Sequence, residues 1–169
     1  MIAKATIDDI PQLVALLNSA YRGEDSKKGW TTEADLIAGE QRTDATSVTQ
    51  VLNQPGSVIL KYTDEKKQII GTVNLQEHDR GLYLGMFAVS PILQGGGIGK
   101  QLLKAADEYA KNVGAATIYM SVVSVRKELI DWYKRHGYAE TGERKPFVED
   151  DITGKHLQPL EFITLEKNI

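Results

Sequence analysis

The segment from Met86 to Gly99, MFAVSPILQGGGIG, joins an apolar stretch to a cluster of glycines. Residues 82–89 have the composition of a β-strand, and residues 98–113 place apolar side chains at helical spacing before Gly114 stops the helix. A strand that leads through glycines into the start of a helix is a ready anion site, because backbone N–H groups approach a phosphate closely and the helix dipole favours negative charge. This segment therefore predicts a site for a phosphate-bearing ligand.

The spacing of the glycines excludes two common phosphate sites. A nucleoside-triphosphate loop requires glycine, and then Ser or Thr, at the positions where this chain has Gln94 and Gln101. The dinucleotide pattern Gly-x-Gly-x-x-Gly ends here on Lys100 or Leu102, depending on the glycine from which it is counted. A tight turn without a ligand stays open as an alternative, although repeated glycine costs chain entropy.

The composition is that of an ordinary globular protein. With 169 residues, 41% of them hydrophobic and 25% charged, the chain is expected to form one domain over residues 1–169. No apolar stretch approaches the roughly 20 residues of a membrane span, and the first residues start no secretory signal, so we expect a cytoplasmic location and no membrane partner. The net charge of -3 disfavours a nucleic-acid partner. The absence of cysteine excludes disulfides and a covalent thiol intermediate.

Hydrophobic periodicity predicts a mixed α/β fold. Strands are predicted over residues 2–6, 57–62, 69–75, 82–89, 116–123 and 160–165, with a further strand from Tyr138; the three strands between 57 and 89 read as antiparallel neighbours. Helices are predicted from residues 6–9 onward, around residues 33–38, near residues 45–52, and over residues 98–113 and 127–135. Residues 23–32 are predicted to form a loop.

Two segments carry a family resemblance. Residues 86–91 followed by Gln94 to Gly99 resemble the acyl-CoA loop of the GNAT N-acetyltransferase superfamily, whose pattern is Gln/Arg-x-x-Gly-x-Gly/Ala. Residues 129–138, LIDWYKRHGY, are similar to the family's segment of an apolar residue and Tyr, three further residues, and Gly-Phe/Tyr. The resemblance implies a GNAT-like single domain with a central, mostly antiparallel twisted sheet of six to seven strands, flanked by helices and splayed to hold acyl-CoA.

The resemblance also implies the cofactor contacts. Acetyl-CoA is the expected cosubstrate, with its pantetheine arm along the strand before the loop and its pyrophosphate on the backbone N–H groups of the loop. The implied cofactor-binding residues are Phe87, Ala88, Val89, Gln94, Gly95, Gly96, Gly97, Ile98, Gly99, Lys100 and Arg126. Lys100 is equally explained as a solvated residue of the first helical turn. Arg126 stands where relatives often have an asparagine that touches CoA, and it is also explained as the start of a helix.

Direct acyl transfer needs a proton donor for the leaving thiolate and a route for the proton of the amine. Tyr133 matches the position at which the family commonly has a tyrosine near the CoA sulfur, so it is the predicted general acid; a core aromatic beside Trp132 is the alternative. The strand over residues 82–89 carries no acid, which departs from many relatives. Glu77 is the nearest acidic candidate for a general base acting through water, and His78 is the second. Both are also explained as surface turn residues.

The acceptor amine is expected near the first helices. The resemblance and the clustering of aromatic and charged side chains favour Tyr21, Arg22, Trp30 and Glu33 as substrate-binding residues, with Arg22 available for a carboxylate. Packing of Trp30 onto the core is the alternative. Residues 143–147 are a candidate lid or a solvated charged segment. No histidine spacing suggests a metal, and residues 149–151 read as a solvated acidic turn, so no metal site is predicted.

These expectations describe an enzyme that moves an acetyl group from acetyl-CoA to a primary amine by direct attack in a ternary complex. A small or amino-acid-like amine is the favoured acceptor, and the chain is expected to act as a monomer or homodimer. A protein N-terminus or lysine is the alternative acceptor. A binding module that senses acyl-CoA without turnover is the alternative of a different class, and the missing acid in residues 82–87 keeps it open.

Overall fold

The computed structural model of the protein describes residues 1–39, 41–149 and 152–169. The strands are β1 (Ile2–Lys4), β2 (Ile37–Ala38), β3 (Ser57–Thr63), β4 (Ile69–His78), β5 (Gly81–Val89), β6 (Thr117–Val123), β7 (Ala139–Pro146), β8 (Lys155–His156) and β9 (Glu161–Asn168). The helices are α1 (Ile10–Tyr21), α2 (Gly23–Ser26), α3 (Ala45–Asn53), α4 (Ile98–Asn112) and α5 (Lys127–Arg135).

Seven strands form one sheet in the order β1-β3-β4-β5-β6-β9-β7. Every neighbouring pair is antiparallel except β5 and β6, which are parallel. Strands β2 and β8 form a separate antiparallel pair. The predicted mixed α/β fold with a mostly antiparallel sheet of six to seven strands is confirmed.

Helices cover both faces of this sheet. The apolar face of α4 packs against the sheet interior in the larger core, where Leu102 and Ala106 are fully buried. The apolar face of α1, including Leu13 and Leu17, packs in a second core on the opposite face. Each fully buried leucine stabilises the fold by about 1.5–3 kcal/mol relative to an exposed one. Burial of these two faces therefore fixes the positions at which α1 ends and α4 begins.

A β-bulge interrupts β5 at Met86. Before the bulge, Leu82 and Leu84 face the α4 core, whereas after it Phe87 and Val89 do so. The inward positions therefore change from even to odd numbers, and the β4–β5 register shifts at the same place. Met86 has a φ of +47°, which L-residues rarely adopt. The bulge turns the C-terminal half of β5 away from the path that it would follow beside β6.

Strands β5 and β6 separate soon after they meet. They pair only at Leu82 with Ile118 and at Tyr83 with Tyr119. The two strands nevertheless continue to Val89 and Val123, respectively. Their C-terminal halves therefore border an opening in the sheet, and α5 follows β6 at this opening.

Two local predictions are wrong. Residues 33–38 do not form a helix, since a single turn closed by Leu36 and Ile37 N–H groups on the Glu33 carbonyl leads directly into β2. Pairing of Ile37 with His156, far along the chain, overrides the local helical pattern. The predicted loop over residues 23–32 contains the short helix α2.

None of the helices in the described ranges combines the length and apolar character needed to cross a membrane.

Candidate active site

The glycine loop forms an open cradle at the start of α4. Gly97 is the N-cap of α4 with a φ of +86°, and Gly95 has a φ of +91°. A Cβ atom at either position would meet no atom within 4 Å, so the space in front of the loop is free. The first N–H groups of α4 have no acceptor within the helix, and the intrahelical pattern starts with the bond from Gln101 N–H to the Gly97 carbonyl. This arrangement suits a phosphate.

A cavity of about 280 Å³ lies against this cradle. Nine of the eleven predicted cofactor-binding residues line it: Phe87, Ala88, Val89, Gln94, Gly95, Gly97, Ile98, Gly99 and Lys100. Gly99 permits close packing, because a Cβ atom there would lie 3.3 Å from the rings of both Phe87 and Trp132. The two remaining predicted residues are Gly96, within the loop, and Arg126, which lies elsewhere. The structure thus brings residues 87–89 and most of the glycine loop around one cavity.

The side chain of Gln94 shapes the loop. Its Nε2 donates to the Val89 carbonyl at 3.0 Å and to Thr31 Oγ1 at 2.6 Å. Its Oε1 accepts from the N–H groups of Trp30 at 2.7 Å and Thr31 at 3.2 Å. A Cβ atom at residue 29 would lie 2.3 Å from this oxygen, so Gly29 leaves room for it. Because the side-chain amide of Gln94 makes all four of its hydrogen bonds within the protein, Gln94 holds the loop rather than offering its amide to a ligand.

Aromatic side chains form one wall of this first cavity. Trp30 meets Trp132 edge to face at 5.9 Å between ring centroids, and Trp132 lies 5.9 Å from Phe87 and 4.4 Å from His136. Trp30 is 40% exposed and lines this cavity. Trp30 was predicted to bind the acceptor, and the structure places it beside the glycine loop instead.

A second cavity of about 560 Å³ occupies the opening between β5 and β6. Three of the four predicted acceptor residues line it, together with the predicted general acid: Tyr21, Arg22, Glu33 and Tyr133. Arg126 also lines this cavity rather than the first. The two cavities abut, because Tyr21, Phe87 and Leu129 line both.

Glu33 is the centre of a buried ionic network. Its carboxylate accepts from Arg22 at 2.5 Å and from Arg126 at 3.1 Å. Arg22 also donates through Nε to the Thr153 carbonyl at 2.9 Å, and Arg126 donates to the Thr31 carbonyl. The side chains of Arg22, Glu33 and Arg126 are 1%, 8% and 8% exposed, respectively. The predicted role of Arg22 as a free carboxylate ligand does not fit, because its guanidinium is enclosed and paired.

Charge and burial oppose each other in this network. Burial alone would raise the pKa of Glu33, but the guanidinium groups of Arg126, Arg42 and Arg22 outweigh it and hold that pKa below its ordinary value. Burial lowers the pKa of Arg22, and Glu33 counteracts it. Glu33 is therefore an ionised partner of two arginines, not a carboxylate free to take a proton.

Tyr21 stands at the junction of the two cavities. Its hydroxyl donates to the carbonyl of Phe87, just after the β5 bulge. The guanidinium groups of Arg42 and Arg126 lie 4.6 and 5.5 Å from its ring centroid. Burial raises the pKa of Tyr21, although both arginines oppose the rise. Tyr21 is thus a protonated, immobilised side chain at this point.

Tyr133 is both a packed aromatic and a cavity residue. It is 4% exposed, and its ring lies 6.1 Å from that of Phe87 and 5.9 Å from that of Tyr138. Burial, reinforced by the neighbouring Tyr21, raises the pKa of Tyr133 well above its usual range despite the opposing charge of Arg126. Tyr133 therefore stays protonated across the neutral range.

The structure does not bring Glu77 to either cavity. Glu77 pairs with Leu82 near the end of β4, which is five residues, or roughly 16 Å, from Phe87 along β5. His78 packs edge to face on Tyr83 at the same end. Among the described residues that line the two cavities, Glu33 is the only carboxylate.

Arg42 and Lys145 line the second cavity as well. Lys145, Pro146 and Phe147 belong to the segment predicted as a candidate lid, so part of that segment borders the expected acceptor space. Arg42 was not predicted, because it lies in an irregular segment whose pattern carries no signal. Only its packing over Tyr21 reveals it.

No metal centre is visible in the described part of the chain, where no group of three or more His, Asp or Glu side chains is placed to hold an ion. Asp150 and Asp151, which belong to the predicted acidic turn, lie outside the described residues.

A comparison with protein families shows the family of this chain. Residues 10–138 match the model of the Acetyltransferase (GNAT) family. The chain belongs to this family. No curated protein matches the sequence.

Solved structures support the same fold. Ribosomal-protein-alanine N-acetyltransferase from Brucella melitensis is 21% identical, with 100% of this chain and 99% of that one covered and a TM-score of 0.73. A GNAT-family acetyltransferase from Staphylococcus aureus Mu50 is 17% identical over 99% and 98% of the two chains, with a TM-score of 0.71. IAA acetyltransferase from Bacillus cereus ATCC 14579 is 20% identical over 100% and 99%, with a TM-score of 0.64. At these identities the likeness shows the fold alone.

Proposed function

We propose that this GNAT acetyltransferase moves an acetyl group from acetyl-CoA to the primary amine of a small acceptor in a ternary complex. The observation that carries the proposal is the pair of abutting cavities, which meet at Tyr21 and Phe87 where β5 separates from β6. One cavity has a phosphate cradle and the other does not, so each suits a different ligand. Their junction is the place at which an acyl group held from one side faces an amine held from the other.

The residues present fit acetyl-CoA. The free N–H groups at the start of α4 would hold the pyrophosphate, and the open space in front of Gly95 and Gly97 leaves room for it. The C-terminal half of β5, which stays paired with β4 but not with β6, would lie along the pantetheine arm. When bound, acetyl-CoA supplies an activated thioester.

Tyr133 is the proposed general acid. Its raised pKa keeps the phenol protonated, and it lines the cavity that borders Phe87, so it is placed to protonate a leaving thiolate. Glu77 is too distant to serve as the base, and the Glu33 carboxylate is engaged by two arginines. We therefore propose that the amine proton leaves through water in the second cavity.

A small acceptor is favoured over a protein chain. The second cavity has the size of a small-molecule site, about 560 Å³, and side chains of the segment from Lys145 to Phe147 border it. A relative named for acetylating the alanine of a ribosomal protein shares the fold, so a protein N-terminus is retained as an arm of the acceptor screen.

Calorimetric titration with acetyl-CoA and CoA, with ATP and NAD as controls, tests the cofactor. Saturable binding of acetyl-CoA and CoA without a response to the controls is expected. Release of free thiol in the presence of an amine panel then tests turnover. Binding without thiol release across that panel would favour the sensing module, and binding of ATP or NAD in place of acetyl-CoA would overturn the cofactor assignment.

A further inference from the structure

The second cavity has an excess of positive charge. The side chains among its described lining residues that carry a charge at neutral pH are one carboxylate, Glu33, and the four cations Arg22, Arg42, Arg126 and Lys145. Glu33 is shared by Arg22 and Arg126. Within the described ranges, Arg42 and Lys145 form no ion pair with any carboxylate. These two cations thus have no carboxylate at ion-pair distance, because Arg42 acts on Glu33 only at longer range and Lys145 acts in the same way on the exposed Glu143.

Arg42 is close to the junction of the two cavities. Its guanidinium lies 4.6 Å from the centroid of the Tyr21 ring, and the hydroxyl of Tyr21 reaches the Phe87 carbonyl. One aromatic ring therefore separates Arg42 from the point where the amine is expected to meet the acyl group. Lys145 reaches the same cavity from β7.

We propose that the acceptor is a small amine that also carries a carboxylate or a similar oxyanion, held by Arg42 and Lys145 while its amine lies at the Tyr21–Phe87 junction. The inference rests on the proposed transferase function and narrows its substrate class. A guanidinium presents a planar pair of donors that matches a carboxylate, and a lysine adds a second charge contact. The anion would supply the direct ion pair that neither cation makes with the described residues.

The same charges act against cationic acceptors. A diamine or a polyamine would bring a further positive charge into a cavity whose described lining has four cations and one carboxylate, and like charges at short range are unfavourable. A neutral amine would leave Arg42 and Lys145 without a partner. An amino-acid-like acceptor therefore fits the cavity, with the carboxylate on Arg42 rather than on the enclosed Arg22.

Matched acceptors test this inference through thiol release from acetyl-CoA. We would use alanine, methionine and phenylalanine, the carboxamide of each, and the corresponding decarboxylated amine. We expect kcat/KM for the best acid to exceed that for its amide by roughly tenfold to a hundredfold, as a charged hydrogen bond implies. The preference should shrink as salt is raised.

Variants of the two cations locate the effect. Arg42→Gln is expected to raise KM for the acid by roughly tenfold to a hundredfold and to lower the acid-to-amide ratio of kcat/KM by a similar factor. Lys145→Gln tests the same idea at an exposed strand position, where folding is not at stake. Lys66→Gln is the matched control, because Lys66 lies in the exposed turn between β3 and β4 and lines neither cavity. Arg42→Lys should restore part of the preference for the acid.

Two failures are distinguishable. If amides or decarboxylated amines react as well as the acids, or if Arg42→Gln and Lys145→Gln slow all acceptors equally, the substrate-class inference is wrong and the transferase function stands. If no amine is acetylated, the transferase function fails. The inference is then judged by titrating the acids and amides into the CoA-loaded protein, where saturable binding of an acid alone supports it and equal binding, or none, overturns it.

Discussion

Replacing Glu33 with glutamine tests the buried ionic network that connects the second cavity to the loop over residues 30–31. The change keeps the size of the side chain but leaves the Arg22 guanidinium, which is 1% exposed, without its counter-charge. Breaking a buried pair by removing one partner costs about 3–5 kcal/mol. A domain of this size loses roughly 2–4 °C in Tm per kcal/mol, so a fall of about 6–20 °C is expected.

The effect of Glu33→Gln should depend on pH. Burial favours the neutral carboxyl, but Arg126, Arg42 and Arg22 together hold the pKa of Glu33 below its ordinary value of about 4.3. A lowered folded-state pKa means that the stabilisation is fully present above the unfolded-state pKa and is lost as the pH falls through the folded-state pKa. The difference in the free energy of unfolding between wild type and Glu33→Gln should be constant above about pH 5 and should become smaller below about pH 4.

Urea unfolding followed by tryptophan fluorescence measures this difference, because Trp30 and Trp132 lie beside the site. Glu140→Gln is the control, since it breaks an exposed pair with Lys134 and should leave the free energy of unfolding unchanged within error. A loss of less than about 1 kcal/mol for Glu33→Gln would refute the reasoning that these buried charges depend on one another.

Three further substitutions test the site and its surroundings. Gly97→Val should strain the loop by about 1–2 kcal/mol and weaken acetyl-CoA binding at least about tenfold in calorimetry. Gly114→Val is the control, because Gly114 has a φ of +74° beyond the other end of α4 and should carry a similar strain with normal binding. Equal affinities of the two variants for acetyl-CoA would contradict the assignment of the loop. Tyr133→Phe should lower kcat by about a hundredfold or more with little change in KM for acetyl-CoA, and a wild-type rate would make Tyr133 a packing residue only. Tyr138→Phe should raise the free energy of unfolding by about 1 kcal/mol in urea, because the Tyr138 hydroxyl is buried without a partner among the described residues; a clear loss would show that this hydroxyl is bonded.

The local pattern of the chain was sufficient for most elements and for the glycine loop at which acetyl-CoA is proposed to bind. The helices α4 and α5 follow from apolar spacing and the glycines that end them. Residues 87–89 and most of residues 94–100 line one cavity because they lie close together along the chain. A left-handed glycine such as Gly97 is a local requirement that the residue type itself discloses.

The acceptor side depends on partners that are distant along the chain. Arg126 was expected on the cofactor and Arg22 on a carboxylate, yet both turn to Glu33, because a buried charge needs an opposite charge more than it needs a solvent-facing position. Arg42 lies over Tyr21 through packing that no spacing in the sequence signals.

The position of Glu77 relative to the site also could not be predicted from the local sequence. Its nearness to the site along the sequence suggested a base, but the antiparallel pairing of β4 with β5 places it at the end of the sheet away from Phe87. The sequence alone therefore determined the family, most of the helices and strands and the glycine loop before α4, since these follow from local spacing and residue type. The tertiary structure alone decided which charges meet in the acceptor cavity, because the β5 bulge, the separation of β5 from β6 and the buried ion pairs arise only when remote segments pack together.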